Sequence, residues 1–181
     1  IHEYDRRDVI PILKEIMAIN PDLKIVASPW SAPRWMKRSL QDDSDYYSWT
    51  GGRLKKECYE DYAQYFVKWI QAMSAEGFNI YAMTIQNEPL NCGNSMSMFM
   101  SWDEQRDFIK TALGPAFKKA GIDTKILVFD HNYNYDNMPD QFDYPLHIYE
   151  DAEASSYVAG SAWHNYGGNP DMLDGIHAAA P

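Results

Sequence analysis

The chain has 181 residues with 45% hydrophobic and 23% charged side chains, proportions typical of one compact globular domain or of a piece of a larger one. Its formal net charge of −10 argues against a nucleic-acid partner, because phosphate binding requires clustered lysine and arginine. No apolar stretch approaches the roughly 20 residues of a transmembrane helix, so we expect no membrane span.

The chain starts at Ile1, which is neither an initiator methionine nor the beginning of a secretion signal. Either a leader has been removed or the chain is an excerpt. Cys58 and Cys92 are too far apart in sequence for a local metal motif. Two unpaired thiols are the favoured interpretation, since a disulfide between them would require an exported protein.

Five segments carry apolar residues at helical spacing, and their ends have recognisable stop or start signals. The sequence Asn20-Pro21 ends the first, and Gly77 and Gly121 follow the second and third. Ser101 and Glu104 form a capping box at the start of the third. We predict helices over about residues 5–20, 57–76, 101–121 and 138–149, and from about 171 to the end.

Four short apolar segments alternate with these helices, and each ends in residues poorly suited to packing. The predicted strands run over about residues 24–30, 79–87, 125–129 and 157–163. The residues at their carboxyl ends are Trp30, Asn87-Glu88, Asp130-His131 and His164 with Tyr166. Strands alternating with helices predict a parallel sheet with right-handed crossovers.

The predicted architecture is an α/β fold of the (β/α)₈ type. A doubly wound open sheet is the alternative, but the chain has no Gly-rich nucleotide-binding motif after an early strand. A complete barrel needs about 250 residues. We therefore expect residues 1–181 to form part of a barrel that is incomplete at both ends.

The segment Asn87-Glu88-Pro89 is the strongest functional candidate. Polar residues at the carboxyl end of a buried barrel strand lie on the face where active sites form. A turn or helix cap is the plainer interpretation of the tripeptide taken alone.

Two long segments follow strands, at about residues 37–56 and 90–100. Loops of this length in compact domains are often functional, although the first could also be disordered. Its aromatic residues Tyr46, Tyr47 and Trp49, with Trp35, either form outer sugar subsites or hold the loop in place.

The sequence resembles glycoside hydrolase family 30 along nearly its whole length. The matching segments, in the family's order, are residues 28–37 (SPWSAPRWMK), 65–69 (YFVKW), 84–89 (TIQNEP), 103–109 (DEQRDFI), 113–115 (LGP) and 163–166 (WHNY). This retaining family has a (β/α)₈ barrel and includes glucosylceramidases and endo-β-1,6-glucanases. The resemblance implies that the four strands are the third to sixth of the barrel.

The resemblance also implies roles for individual residues. Glu88 corresponds to the general acid/base, and Asn87 to the residue that binds the sugar 2-hydroxyl. The residues expected to line the sugar pocket are Trp30, Asp130, His164 and Tyr166. The nucleophilic glutamate of this family follows the seventh strand, outside this chain. We therefore expect a carbohydrate substrate for the parent protein and no activity from the isolated chain.

Retaining glycosidases need two carboxyl groups about 5–5.5 Å apart, one of them protonated near neutral pH. Apolar surroundings and the like charge of the nucleophile raise the pKa of such an acid above its usual value of roughly 4.3. Without the nucleophile, we expect Glu88 to titrate closer to normal.

Three alternatives remain open at this point. Asp130 could be a second catalytic carboxylate, although its strand order favours a binding role. Asp130, His131 and His164 lack the short paired spacing of zinc motifs, so we predict no metal and no cofactor. The barrel could also bind sugar without catalysis, because fold alone does not determine function. The family resemblance favours a secreted, periplasmic or cell-surface location.

Overall fold

The computed structural model describes residues 1–134 and 138–181. Four parallel strands form the main sheet, in the order in which they occur along the chain. They are β1 (Ile25–Ala27), β4 (Ile80–Thr84), β5 (Lys125–Asn132) and β6 (Val158–His164). The predicted parallel sheet is confirmed, but β1 and β4 are shorter than predicted and β5 is three residues longer.

The helices lie between the strands, as the apolar periodicity predicts. They are α1 (Ile10–Ile19), α2 (Tyr59–Ala75), α3 (Trp102–Phe108), α4 (Gly114–Ala120), α5 (Tyr144–Tyr149), α6 (Ala152–Ser155) and α7 (Met172–Ala179). The capping box of Ser101 and Glu104 is present, and Gly121 ends α4 in the left-handed conformation. The helix predicted over 138–149 is instead a 3₁₀ turn (Pro139–Gln141) followed by α5.

Two of the helices contain a π-helical turn that the sequence analysis did not predict. These turns, Asp5–Val9 and Ile109–Leu113, each end two residues before a proline, Pro11 and Pro115 respectively. A proline ring cannot donate to the carbonyl four residues earlier and collides with it, so the preceding turn widens.

The main core lies between the sheet and α2 to α4. One face of α2 contributes Tyr62, Phe66 and Ile70, and Phe108 packs against the first two rings at centroid distances of 5.5 and 6.2 Å. This apolar face, which the helical spacing predicts, is therefore part of the core. Within the described ranges, no helix is both long and apolar enough to cross a bilayer.

The segment 37–56 is ordered by a small antiparallel ladder rather than being a plain loop. Its strands are β2 (Lys37–Arg38) and β3 (Arg53–Leu54). The buried Glu104 carboxylate lies 3.8 Å from the Arg38 guanidinium and 3.5 Å from that of Arg53, which ties the ladder to α3.

Lys37 anchors the same ladder from inside the protein. Its ammonium group is fully buried and donates to Ser31 Oγ at 2.9 Å and to the Ser97 carbonyl at 3.0 Å. Burial lowers the pKa of Lys37 to about 8. The lysine thus links the segment after β1 to the segment after β4, where Met98 and Met100 join the core.

Cys58 and Cys92 are both free thiols, the first buried and the second partly buried. The interpretation of two unpaired thiols is therefore confirmed in this structure.

Two helical glycines offer a test of the packing. A Cβ atom at Gly114 would lie 2.3 Å from the Tyr157 ring, whereas a Cβ atom at Gly175 meets nothing within 4 Å. Alanine is favoured over glycine in a helix by about 1 kcal/mol, but overpacking costs typically 1–3 kcal/mol.

We predict that Gly114→Ala lowers the free energy of unfolding by up to about 2 kcal/mol, because the overlap outweighs the helix preference. Gly175→Ala is the matched control and should raise it by up to about 1 kcal/mol. Denaturant unfolding of the full-length protein measures both. A stabilising Gly114→Ala substitution would contradict the close approach of Tyr157.

Candidate active site

The segment after β4 is held on both sides by neighbouring strands. The Asn87 N–H donates to the Pro29 carbonyl at 2.8 Å, and the Glu88 N–H donates to the Asp130 carbonyl at 2.9 Å. Glu88 has a φ of 45°, in the left-handed region that non-glycine residues seldom adopt. The chain therefore turns sharply at Glu88, at the carboxyl end of the sheet.

A bulge in β5 brings two consecutive side chains to the same place. Phe129 and Asp130 have φ values of 72° and 69°. The register along β6 shifts here, since Phe129 pairs with Ala162 and His131 with Trp163. In a regular strand the side chains at 130 and 131 would point to opposite faces. The bulge re-aims the strand so that both reach the site.

A buried glutamine supports this bulge from the helical layer. The Phe129 N–H, which the bulge removes from the ladder, donates to Gln105 Oε1 at 3.0 Å. Gln105 lies on α3 and is fully buried. An unpaired buried N–H would cost about 1–3 kcal/mol, so this bond offsets part of the cost of the bulge.

The Asp130 carboxylate is buried and fully engaged. Its Oδ2 atom accepts from the Ser28 hydroxyl at 2.5 Å and the Thr84 hydroxyl at 2.7 Å. Its Oδ1 atom lies 2.9 Å from His164 Nε2. These contacts join the ends of β1, β4, β5 and β6, so Asp130 is the centre of the polar cluster.

Among the residues that the structure describes, three side chains contact the Glu88 carboxylate. Its Oε2 atom accepts from the Asn91 amide at 2.8 Å and the Asn94 amide at 2.5 Å, and Oε1 lies 3.2 Å from His164 Nδ1. Burial raises the pKa of Glu88. The hydrogen bonds from Asn91, His164 and Asn94, with the nearby His131, lower it by more, and the net result is a pKa below the usual value.

We expected Glu88 to titrate closer to normal without the nucleophile, and its pKa instead lies below the usual value. The carboxylate is stabilised further by the two asparagines after Pro89, which the sequence analysis did not assign to the site.

His164 bridges the two carboxylates, with one ring nitrogen facing each. A neutral imidazole has a single N–H and can donate to one of them only. Both contacts are hydrogen bonds only when a second proton is present, on the ring or on one of the two carboxyl groups. Which nitrogen donates therefore depends on the tautomer of His164.

His131 lies behind these groups and is almost completely buried. Its ring centroid is 6.4 Å from that of His164. Burial lowers the pKa of His131 to about 4, against the opposing effect of Glu88, so the ring is neutral near pH 7. Ligand atoms of Glu88, His131 and His164 lie within 4.8 Å of one another, and this set could hold a cation.

The remaining predicted site residues lie around the cluster. Asn87 is nine-tenths buried and precedes Glu88. Trp30 is 42% exposed, and its carbonyl accepts from Gln86 Nε2 at 2.7 Å. Tyr166 is 86% exposed, and its ring meets the His164 ring edge-on at 5.9 Å. The structure thus places Asn87, Glu88, Asp130 and His164 together, with Tyr166 against the last of them.

Sequence reasoning missed the residues that support this cluster. They are Ser28, Thr84, Gln86, Asn91, Asn94 and Gln105, all with polar side chains that bond to the site or its backbone. Four of them, Ser28, Thr84, Gln86 and Gln105, fall inside segments that match the family. Polar residues within otherwise apolar strands were the available signal.

Comparison with known proteins agrees with the geometry. The sequence profile described as "Glycosyl hydrolase family 30 TIM-barrel domain" matches residues 1–181. An endo-1,6-beta-D-glucanase of Neurospora crassa is 40% identical over 175 residues, covering 94% of this chain and 34% of the relative. The lysosomal acid glucosylceramidase of Mus musculus is 29% identical, covering 91% of this chain and 32% of the relative.

Among solved structures, the endo-beta1,6-glucanase BT3312 matches with a TM-score of 0.98 and 59% identity, covering all of this chain and 40% of that one. SrfJ from Salmonella typhimurium matches with a TM-score of 0.84 and 27% identity, and the match covers 99% of this chain and 38% of that one. The chain spans about a third of the length of the curated relatives it matches.

These matches confirm the predicted fold, a (β/α)₈ barrel of which this chain forms four consecutive strand–helix units. The profile covers every residue of the chain, and the predicted resemblance is confirmed. The chain belongs to glycosyl hydrolase family 30.

Proposed function

We propose that the protein containing this chain is a retaining β-glycosidase in which Glu88 is the general acid/base. One observation carries the proposal: the Glu88 carboxyl group lies at the carboxyl end of the parallel sheet, hydrogen-bonded to His164 and joined through it to Asp130. This is the barrel face that carries active sites. The family relatives named as hydrolases support an enzyme over a sugar-binding barrel without catalysis.

In the first step, Glu88 donates its proton to the glycosidic oxygen as the bond to the anomeric carbon breaks, and a second carboxylate attacks that carbon. In the second step, Glu88 accepts a proton from water, whose oxygen displaces the second carboxylate. The family resemblance assigns this nucleophile to the seventh barrel strand, outside this chain. The isolated 181-residue chain would therefore lack turnover.

Asp130 is a poor candidate for the nucleophile. Both of its oxygens are already engaged, since Oδ2 accepts from the Ser28 and Thr84 hydroxyls and Oδ1 lies 2.9 Å from His164 Nε2. A nucleophile needs a free oxygen directed at the anomeric carbon. We assign Asp130 to the sugar pocket, where it also orients His164.

The acid role requires a protonated Glu88, whereas the three donors around it favour the carboxylate. The negative charge of the nucleophile opposes them and raises the pKa of Glu88 in the ground state. Once the nucleophile has bonded to the sugar, its charge is lost and Glu88 returns to the carboxylate that the second step needs. Asn91, Asn94 and His164 then stabilise this carboxylate.

The proposed substrate is a β-1,6-glucan. The relative from Neurospora crassa and the solved structure with 59% identity are both named as endo-β-1,6-glucanases. Asn87, Trp30, His164 and Tyr166 would contact the sugar, with Asn87 at the 2-hydroxyl. A polymeric substrate of this kind favours a secreted, periplasmic or cell-surface location. Glucosylceramide is the second candidate, supported by relatives at 29–34% identity.

The substrate class is tested by assaying the full-length protein on β-1,6-glucan beside glucosylceramide. We expect hydrolysis of the glucan with at least tenfold preference in kcat/KM. A preference for the glycolipid would identify glucosylceramide as the substrate instead. If the protein hydrolysed neither compound, both proposed substrates would be contradicted.

We predict that Glu88→Gln reduces turnover of β-1,6-glucan by at least 10²-fold, because proton donation by a positioned acid contributes about 10²–10⁴-fold. Aryl glycosides with activated leaving groups should lose far less in the glycosylation step, since they need little protonation. Pre-steady-state release of the aryl group measures this step. The exposed Glu60→Gln on α2 is the control and should leave both rates unchanged. Equal losses for both substrates would remove Glu88 from the acid role.

We further predict that Asn94→Ala moves the alkaline limb of the kcat/KM profile to higher pH. The amide of Asn94 stabilises the Glu88 carboxylate, so its loss favours the protonated acid and raises the pKa of Glu88. Hydrolysis rates between pH 4 and 9 measure the shift, with Asn169→Ala, a residue outside the site, as the control. A limb that moves to lower pH would contradict the assigned contact.

A further inference from the structure

Glu88, His131 and His164 place three metal-binding side chains around one point. They come from three neighbouring strands, and their ligand atoms lie within 4.8 Å of one another. We propose that this cluster binds one divalent transition-metal cation such as Zn²⁺, and that the bound cation inhibits hydrolysis. The inhibition, though not the binding, rests on the proposed function of Glu88.

Two of the three ligand atoms already have the spacing that a cation needs. Glu88 Oε1 and His164 Nδ1 are 3.2 Å apart. In a tetrahedral zinc site with bonds of about 2.0–2.1 Å, two ligand atoms are about 3.3 Å apart. The His131 nitrogen lies within 4.8 Å of the other two ligand atoms and has to approach them by roughly 1.5 Å.

A neighbouring carboxylate orients the histidine for this role. Asp130 Oδ1 lies 2.9 Å from His164 Nε2 and accepts a hydrogen bond from a proton on that nitrogen when Nδ1 binds the cation. Binding at Nδ1 displaces any proton between this nitrogen and Glu88, because a ligating nitrogen must be deprotonated. Carboxylate–histidine–metal arrangements of this kind are common in zinc sites, where they set the tautomer and increase the basicity of the ligand. Ser28 and Thr84 hold the Asp130 carboxylate in place.

The local charge also favours a cation. Glu88 and Asp130 are two carboxylates in one cluster, and within residues 1–134 and 138–181 neither forms an ion pair with a lysine or arginine. Two imidazoles with a carboxylate suit zinc, cobalt or copper better than magnesium or calcium, which prefer oxygen ligands alone.

The arrangement leaves one coordination position open towards solvent. His131 lies beneath the site with 1% of its surface exposed, whereas the side chains of His164 and Glu88 are 21% and 13% exposed. A water molecule or a sugar hydroxyl would occupy the fourth position. Coordination of Glu88 occupies the oxygen that carries the catalytic proton, which explains why binding would inhibit.

The test is a pair of titrations of the full-length protein. Binding of Zn²⁺, added as ZnCl₂, is measured by calorimetry, and binding of Co²⁺ is measured by visible absorption. We expect the His131→Gln variant to bind one equivalent of Zn²⁺ fewer than the unmodified protein, or to bind that equivalent at least tenfold more weakly. Asp130→Asn should weaken binding by about 10–100-fold through the loss of the orienting carboxylate. The control His177→Gln changes an exposed histidine of α7 and should bind Zn²⁺ as the unmodified protein does.

Circular dichroism melting first establishes that each variant is folded. If His131→Gln does not fold, Glu88→Gln and Asp130→Asn decide the question in its place. Unchanged Zn²⁺ stoichiometry and affinity in the folded variants, or no binding at all, would overturn the proposal. Because binding is measured without substrate, a protein that binds Zn²⁺ here but hydrolyses no glycoside would contradict the proposed function and leave the metal site standing.

Discussion

The site depends on one backbone hydrogen bond, between the Glu88 N–H and the Asp130 carbonyl at 2.9 Å. This bond joins the strained turn at Glu88 to the bulge of β5, where two successive residues have positive φ values. Strained backbone of this kind costs on the order of 1–3 kcal/mol per residue and persists only where the surroundings determine it. Here Gln105, Ser28 and Thr84 supply those surroundings from three different elements.

The strain has a chemical consequence. Because the bulge turns Asp130 and His131 towards the same cluster, His164 lies between two carboxylates, with one ring nitrogen facing each. A regular β5 strand would direct one of these side chains into the helical layer. In the proposed enzyme, the same contacts stabilise Glu88 as a carboxylate, so the protonated form depends on a charge from outside this chain.

Much of the fold follows from local patterns in the sequence. The apolar periodicity of α2, the capping box at Ser101 and the left-handed Gly121 are all local signals, and each is confirmed. The position of Glu88 at a strand end also follows from sequence, because an apolar run stops at Asn87 and Pro89. The parallel pairing of the four strands can be predicted from their alternation with helices alone.

The supporting contacts could not be predicted in the same way. Nothing in the sequence around Phe129 signals a positive φ, since bulky residues seldom adopt it. The bulge is supported by the bond with Gln105, which is 24 residues away in sequence. Likewise, Asn91 and Asn94 read as ordinary loop residues until the chain folds back and directs their amides to Glu88. Such long-range and loop-dependent contacts have no periodic signature.

The most direct test of the central claim is chemical rescue of Glu88→Ala in the full-length protein by azide, with an activated aryl β-glucoside as substrate. Azide is small enough to replace the lost carboxyl group and needs no proton removed in order to attack the covalent intermediate. If Glu88 is the acid/base, azide restores turnover and the product is the β-glucosyl azide, because two displacements retain configuration. Formation of the α-glucosyl azide would identify Glu88 as the nucleophile instead, and the absence of rescue would contradict its place in catalysis.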